Sequence, residues 1–564
     1  MHLSTFSFLS LLTSTGLAFN CTREAFADIL PSNASVSFTR SIPVDGNSTF
    51  VVPAGDIAYP TSPTGLQPLC AVQINVSSSD CSAYSFGLFL PDEWNERFLA
   101  VGNGGFAVRI QDERLADEHA GGINWLDMGA GVGYGFAVMS TDTGHNSTPT
   151  DIEWALNSPQ KKIDWGYRAM HGSVELSKHI VESYYNQAPK YNYYSGCSTG
   201  GRQGIRDIQL YPDDFDGVLA GAPAWWTSHL QTWTVKIGLY NSPNASASHI
   251  PPSLFGVVGA EILKQCDPQD GLVDNIISDP EGCNVNLEAM LCGPNVTNQT
   301  TAACLTAEQI GTLYNIYNDY VDVNQTFVFP HLELGSEAQW PVLLGLGEPA
   351  PLGTEFVRYF LLNDPSWNYT EFSYQTVELA DQLDPGNATA DDFDLSPFYH
   401  HGGKLLHYHG YADALIATGS SIYFYNQVLK TLKPKGIDLD SWYRFFLIPG
   451  MQHCTGTPAN MDAPWYIAGA NQAGTLNTSV HSVPGFCDAK HDALLALMAW
   501  VEKDEAPESL VATKFVNETR PDEVQRQRPL CPYPQQARFV GEGDPDEARN
   551  WKCEGLYSMQ AQYS

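Results

Sequence analysis

The feature that most constrains the fold is one serine set between two glycines. Residues 196–200 read GCSTG and fit the pattern G-x-S-x-G around Ser198. A β-like run at 191–194 precedes the motif, and a helix-compatible stretch from Gly201 follows it. Glycines on both sides permit a tight strand-to-helix turn that exposes the serine hydroxyl, and the helix N-terminus offers unpaired N–H groups. The pattern predicts Ser198 as a nucleophile; the alternative is a structural Gly-Ser turn.

The rest of the chain alternates strand and helix signals. Stretches 165–185 and 491–505 have helical spacing with few breakers. Short apolar runs that end in turns are typical of buried parallel strands, and they lie at 98–101, 135–140, 191–194, 217–221, 404–408 and 443–448. This order predicts the α/β class, with an α/β-hydrolase fold.

Segment 225–395 differs, because it has four cysteines, six N-x-S/T sequons and Asp-rich turns without the strand pattern. We interpret it as an inserted lid domain. The predicted organisation is a signal peptide at 1–18, a first core part at 19–225, the lid at 226–395 and a second core part at 396–564.

A serine nucleophile needs a base and an orienting carboxylate. In α/β-hydrolases the chain order is Ser, then Asp or Glu, then His. Asp413 and His453 each follow a predicted strand, 215 residues after Ser198 and a further 40 residues on. His407 and His409 are competitors, but their place within or beside a strand favours core or pocket-wall histidines.

Charge and composition exclude several partners. The 564 residues contain 63 acidic and 29 basic side chains, for a net charge of −34. Nucleic acid and anionic membranes would repel such a chain. A hydrophobic content of 43% is that of a globular protein. Length alone suggests three or four domains at roughly 150 residues each, whereas the serine-to-aspartate gap favours one core split by one lid.

The N-terminus and the sequons predict a secreted glycoprotein. A short apolar stretch, Phe6–Leu12, leads to small residues and a cleavage site near Ala18; the alternative is a buried N-terminal segment. No later stretch reaches the length of a membrane span. Thirteen sequons favour extracellular glycosylation, at Asn20, Asn33, Asn47, Asn75, Asn146, Asn244, Asn295, Asn298, Asn324, Asn368, Asn387, Asn477 and Asn517.

Twelve cysteines, an even number with no C-x-x-C pair, favour disulfides over zinc or redox sites. Short separations suggest three local pairs, Cys266 with Cys283, Cys292 with Cys304 and Cys531 with Cys553. Cys197 precedes the serine and Cys454 follows the histidine. If Ser198 and His453 meet, these two cysteines come within reach of a disulfide.

The chain resembles the fungal tannase and feruloyl esterase family, from about Cys21 to Cys553. The resemblance lies in CSTGGRQG at 197–204, HGYADALI at 409–416 and His453-Cys454. It implies Ser198 as nucleophile, His453 as general acid and base, and Asp413 as its orienting partner. It also implies a bridge between Cys197 and Cys454.

Two further sites are expected. By the logic of the fold, the oxyanion hole takes one N–H from Thr199 and a second from Gly104 or Gly105, in a glycine-rich loop after a strand. The Asp-rich loop after Cys266 spaces carboxylates like a calcium loop, without the EF-hand glutamate; an acidic solvated turn is the alternative. The resemblance implies a structural Ca²⁺ held by Asp267, Asp270 and Asp274 side chains and by the Leu272 and Ile276 carbonyls.

The prediction is a secreted serine carboxylic ester hydrolase. The resemblance implies esters of aromatic acids, either hydroxycinnamoyl groups such as ferulate on plant cell-wall polysaccharide or galloyl groups on tannins. A compact lid without a dibasic Lys-Arg site favours feruloyl esterase over tannase. Two rival functions stay open, a calcium-dependent carbohydrate-binding glycoprotein without activity and a serine peptidase. The partner is an ester substrate, and assembly as a monomer or a homodimer stays open.

Overall fold

The computed structural model describes residues 19–43, 48–54, 56, 58–106, 122–145, 147, 150–296, 299–472, 474 and 482–555. The predicted signal peptide at 1–18 lies outside these residues, as do the sequon asparagines Asn47, Asn146, Asn298 and Asn477. No helix in the described ranges combines the length and the apolar character needed to cross a membrane.

The strands of the described residues are, in chain order, β1 (Ala34–Ile42), β2 (Leu69–Ser79), β3 (Ser82–Pro91), β4 (Arg97–Val101), β5 (Ala137–Thr141), β6 (Tyr191–Cys197), β7 (Gly217–Gly221), β8 (Tyr320–Val321), β9 (Phe327–Phe329), β10 (Lys404–Gly410), β11 (Tyr443–Ile448), β12 (Leu510–Phe515), β13 (Val524–Leu530), β14 (Gln535–Phe539) and β15 (Trp551–Gly555).

The α-helices of the same residues are α1 (Arg23–Ala27), α2 (Trp125–Gly133), α3 (Pro159–Ile163), α4 (Ala169–Tyr185), α5 (Thr199–Leu210), α6 (Thr227–Tyr240), α7 (Pro252–Cys266), α8 (Gln299–Ala302), α9 (Ala307–Ile316), α10 (Trp340–Leu344), α11 (Pro351–Glu355), α12 (Tyr374–Leu383), α13 (Ser396–His401), α14 (Gly419–Leu432), α15 (Gly469–Gln472) and α16 (Ala493–Lys503).

One large mixed sheet organises the molecule, in the order β1-β2-β3-β5-β4-β6-β7-β10-β11. Strands β1, β2, β3 and β5 pair antiparallel in succession. From β5 to β11 every neighbouring pair is parallel. These six parallel strands are the six that the apolar runs predict, and the α/β-hydrolase fold is confirmed. The antiparallel strands β1 to β3 were not predicted.

Helices cover both faces of this sheet, as a parallel sheet requires. On one face Val174 of α4, Ile205 of α5 and Phe424 of α14 share one buried apolar cluster with the strands. On the other face Trp125 of α2 and Leu497 of α16 belong to a second cluster. The site residues that follow the strands are therefore held by a core of three layers, the sheet and the helices on its two faces.

The chain leaves the sheet after β7 and returns at β10. The elements between them, from α6 to α12 with the β8–β9 hairpin, have an apolar core of their own that includes Trp233, Leu263 and Trp340. The same cluster contains Ala414 and Ile416, which follow Asp413 in the loop after β10. The inserted elements thus pack directly on the loop that bears the predicted catalytic aspartate.

Five disulfides join ten of the cysteines in the described part of the chain, and the pairs are Cys21–Cys70, Cys197–Cys454, Cys266–Cys283, Cys292–Cys304 and Cys531–Cys553. Four of them are the pairs expected from the sequence. The fifth, Cys21–Cys70, has no short separation or motif that would have identified it, since its two cysteines lie 49 residues apart.

Candidate active site

Ser198 lies at the sharp turn between β6 and α5. Its backbone has φ +64° and ψ −123°, a combination that a non-glycine residue adopts only when its surroundings impose it. The Ser198 N–H donates to the Gly221 carbonyl at 3.0 Å, and its carbonyl accepts from Arg202 and Ala224. These bonds hold the strained turn, so the hydroxyl stands at the carboxyl edge of the sheet as a nucleophile elbow requires.

Positions 196 and 200 beside Ser198 require glycine because there is no room for a side chain. A Cβ on Gly196 would lie 2.8 Å from the backbone of Gly200, and one on Gly200 would lie 2.9 Å from the Asn103 carbonyl. Both distances are shorter than carbon atoms tolerate. The motif therefore reflects a close approach of three backbone segments at the serine.

The predicted oxyanion loop lies against the start of α5. The Thr199 hydroxyl donates to the Gly105 carbonyl at 2.5 Å. The Gly104 N–H, however, already donates to the Tyr59 hydroxyl at 2.9 Å, a contact that no local sequence pattern predicts. Of the two glycines, Gly105 is thus the one whose N–H does not donate to the Tyr59 hydroxyl. The assignment of Thr199 and Gly105 as donors stays a prediction.

Asp413 and His453 meet at the same edge of the sheet, because each follows one of two neighbouring parallel strands. His453 Nδ1 lies 2.7 Å from Asp413 Oδ2. Asp413 is fully buried, and its Oδ1 accepts from the Leu415 and Ile416 N–H groups at 2.8 and 3.0 Å. Burial alone would raise the pKa of Asp413, but the His453 charge and the histidine hydrogen bonds outweigh it and hold the pKa below its usual range. The carboxylate is therefore ionised and oriented toward His453.

The disulfide between Cys197 and Cys454 brings the serine and histidine loops together. Its Cα atoms are 5.9 Å apart, and each cysteine directly neighbours its catalytic candidate, Ser198 or His453. No hydrogen bond of Ser198 Oγ is present among the described residues, and such nucleophile–base contacts are often long in a substrate-free site. The bridge, rather than a serine–histidine hydrogen bond, fixes the proximity of the two loops here.

Two residues that contact the triad loops, His409 and Gln339, were not assigned to the site from the sequence. His409 is a buried strand residue, as predicted, but its Nε2 also lies 3.0 Å from Asp413 Oδ2. Gln339, between β9 and β10, accepts with Oε1 from the N–H of Ala414 at 3.2 Å and from the N–H of His453 at 3.1 Å. The spacing of His409 four residues before Asp413 is a signal that could have found the first contact. The Gln339 contacts join residues more than 70 positions apart, so no local sequence pattern predicts them.

The Asp-rich loop forms a compact turn at the end of α7. Asp267 is buried, and its Oδ1 accepts from the N–H groups of Asp274 and Ile276 at 3.0 and 3.4 Å. Burial, with repulsion from Asp274 and Asp267, raises the pKa of Asp270. Arg528 donates to Asp274, so one basic side chain already balances part of this charge.

Among the described residues, one group of His and Asp side chains is close enough to share a metal ion, and it lies outside the Asp-rich loop. Atoms of His171, Asp207 and Asp214 lie within 4.8 Å of one another. Lys178 donates to the Asp214 carbonyl, and its ammonium is 3.6 Å from the Asp214 carboxylate. Burial and the Asp214 charge raise the pKa of Asp207 well above its usual value. A neutral Asp207 and a nearby lysine balance the cluster without a metal.

The sequence matches the family described as "Tannase and feruloyl esterase" over residues 70–328 and 357–554. "Probable feruloyl esterase B-2" of Aspergillus oryzae is 34% identical over 534 residues, 94% of this chain and 95% of that protein. Among solved structures, feruloyl esterase B from Aspergillus oryzae aligns with a TM-score of 0.83 at 32% identity, covering 95% of this chain and 99% of that one. Tannin acyl hydrolase from Aspergillus niger aligns at 0.70 and 21% identity, covering 96% of each chain, a likeness of fold.

Proposed function

This chain belongs to the tannase and feruloyl esterase family and is a carboxylic ester hydrolase. From that premise we propose that it releases hydroxycinnamic acids such as ferulate from esterified plant cell-wall polysaccharide. The observation that carries the proposed mechanism is the buried Asp413–His453 hydrogen bond beside the strained turn at Ser198. Family membership sets aside the alternative of a binding protein without activity.

The proposed reaction proceeds through an acyl-enzyme. His453 takes the proton of Ser198 Oγ as the oxygen attacks the ester carbonyl, and N–H groups at Thr199 and Gly105 receive the developing oxyanion. Collapse breaks the ester bond, and His453 gives its proton to the departing sugar oxygen, which leaves as a hydroxyl group. Water then attacks the acyl-enzyme while His453 takes a proton from it, and returning that proton to Ser198 releases the free acid. Asp413 stays ionised throughout and stabilises the charged imidazole.

The feruloyl preference is supported by its relatives. The homologues at 32–34% identity bear feruloyl esterase names, whereas the tannin acyl hydrolase at 21% supports the fold alone. We expect kcat/KM for methyl ferulate to exceed that for methyl gallate by about tenfold or more, because the two acids differ in length and hydroxyl pattern. Steady-state kinetics with both esters measures this. A preference for gallate would instead support the tannase alternative, and peptide hydrolysis without ester preference would support a peptidase.

Secretion and glycosylation are part of the same proposal. Five disulfides are typical of proteins that fold in an oxidising compartment. The sequon asparagines that the structure describes are all exposed and thus accessible to glycan transfer, and they are Asn20, Asn33, Asn75, Asn244, Asn295, Asn324, Asn368, Asn387 and Asn517.

We further propose that the Asp-rich loop binds one structural Ca²⁺. The residues fit such an ion, because the side chains of Asp267, Asp270 and Asp274 supply oxygen ligands of the kind that calcium prefers. Burial is the main cause that raises the pKa of Asp270, and repulsion from Asp274 and Asp267 adds to it; a cation would relieve the repulsion. The carbonyls of Leu272 and Ile276 would complete the set. When bound, the ion supplies stability to the loop and no step of ester hydrolysis.

We expect the purified protein to retain about one Ca²⁺ per chain after dialysis and to melt several degrees lower after chelation. Elemental analysis and thermal unfolding measure the two effects. Asp270→Ala should remove the ion, whereas Glu308→Gln, a change of an exposed acid on α9, should keep it. This proposal would be contradicted if the purified protein contained no calcium and its melting temperature did not change when a chelator was added.

A further inference from the structure

A continuous line of buried polar side chains runs from the triad into the core. It begins at Asp413 and passes through His409, Ser421 and His407 to Tyr443, and all of these residues are fully buried. The contacts measure 3.0 Å from Asp413 to His409, 2.7 Å from His409 to Ser421, and 2.9 Å for each of the next two. Buried polar groups in such a line are costly unless every one is paired.

The partners of His409 determine where its proton lies. His409 Nε2 faces two oxygens that can only accept, Asp413 Oδ2 at 3.0 Å and the Ile416 carbonyl at 3.1 Å. This nitrogen must therefore bear the hydrogen. The other nitrogen, Nδ1, faces the Ser421 hydroxyl, which can donate to it. A neutral His409 with its proton on Nε2 satisfies all of these contacts.

The remaining protons then follow in one direction. Ser421 uses its only hydrogen on His409, so its oxygen accepts from His407 Nε2. His407 Nδ1 then accepts from the Tyr443 hydroxyl. Burial lowers the pKa of His407 well below its usual value, which agrees with a neutral ring. Every donor along the line points toward Asp413.

We propose that His409 is a positioning residue of the triad, which donates its Nε2–H to Asp413 and thereby fixes the carboxylate that orients His453. This inference rests on the proposed serine mechanism. Ser421, His407 and Tyr443 hold His409 in the one neutral tautomer that can donate.

The contacts of Asp413 show why a fourth donor matters. Oδ1 receives the two backbone N–H groups of Leu415 and Ile416, and Oδ2 receives His453 and His409. With four donors the carboxylate can neither rotate nor take up a proton at low cost. The His409 bond also draws charge from the oxygen that faces His453, so it moderates how tightly the imidazole proton is held.

Two replacements of His409 separate this role from packing. In His409→Gln the amide nitrogen occupies the place of Nε2 and keeps a donor for Asp413. In His409→Asn the shorter amide reaches Ser421 but not Asp413, so the donor is lost. Loss of the donor concentrates charge on Asp413 and stabilises protonated His453, which is the inactive form for attack.

We expect the acid limb of the kcat/KM profile to move upward by about one pH unit in His409→Asn and to stay near the wild-type position in His409→Gln. At pH values below the limb, activity of the asparagine variant should fall about tenfold. Among the described residues, the titratable groups that hydrogen-bond to Asp413 are His453 and His409, and the next along the line are His407 and Tyr443. Equal profiles for both variants, whether shifted or unshifted, would overturn the assignment.

A measurement on the unaltered protein covers the case in which a variant fails to fold. Nitrogen-15 NMR of labelled histidines should find His409 neutral with its proton on Nε2, and a His409 protonated on Nδ1 would overturn the proposal. Ser198→Ala keeps this outcome distinct from the proposed function. If that variant retains full esterase activity, the serine mechanism fails; if it is inactive while the His409 profiles stay unchanged, only the positioning role of His409 fails.

Discussion

Ser198→Ala is expected to lower kcat/KM for methyl ferulate by about 10⁴-fold or more, because alanine offers no nucleophile and the neighbouring Thr199 hydroxyl already donates to the Gly105 carbonyl. Activity that remains would come from substrate binding and oxyanion stabilisation alone. The variant should fold normally, since Ser198 is held through its backbone bonds to Gly221, Arg202 and Ala224 and not through its hydroxyl. Steady-state kinetics and thermal unfolding measure the two expectations.

A matched control is available in Ser173 of α4, a buried serine outside the site. Ser173→Ala makes the same chemical change and should leave kcat/KM near the wild-type value. A serine-directed fluorophosphonate should label the wild type and Ser173→Ala, but not Ser198→Ala. Full activity of Ser198→Ala on both ferulate and gallate esters would refute the nucleophile assignment.

Removal of the Cys197–Cys454 bridge, by replacing both cysteines with alanine, is expected to lower kcat by about 10²-fold. The bridge ties the serine loop to the histidine loop across 257 residues of sequence. A shift of about 1 Å between reacting groups has an effect of this size. The free energy of unfolding should also fall, by about 3–5 kcal/mol, because a long loop regains its freedom in the unfolded chain.

The bridge between Cys292 and Cys304 provides the comparison, because it closes a short loop of the insertion with a separation of 12 residues. Its double alanine variant should lose about 3 kcal/mol or less and keep kcat near the wild-type value. Kinetics below the unfolding temperature of each variant separates geometry from stability. Equal losses of kcat in the two variants would mean that the Cys197–Cys454 bridge has no special role at the site.

Local patterns were enough to predict the parallel core, because its strands are short apolar runs that end in turns. The elbow at Ser198 was equally local, since glycines at 196 and 200 leave the space that the tight turn requires. Strands β1 and β2 carry the apolar–polar alternation of half-buried strands, as in ASVSFTRSI of β1, and β3 contains the apolar run FGLFLP. These signals could have found the three strands. Their pairing and register, in contrast, depend on contacts between distant segments.

The supporting contacts of the site were beyond sequence reasoning for a different reason. The bonds from Tyr59 to Gly104, and from Gln339 to Ala414 and His453, join segments far apart in the chain. Nothing in either partner's neighbourhood marks such a contact. The candidate catalytic residues form recognisable motifs because the fold determines their order and their place after strands. The residues that support them are determined by tertiary contacts between loops that are distant in the sequence.

The position of Gln339 has a consequence for exchanging parts between relatives. One amide oxygen of the inserted segment bonds both the aspartate loop and the histidine loop of the core. A chimera that swaps residues 226–395 for another insertion therefore inherits a catalytic fault unless the donor supplies an acceptor at the same point. Selectivity can be re-engineered elsewhere in the insertion, but an exchanged insertion must first place an acceptor where the Gln339 amide oxygen lies.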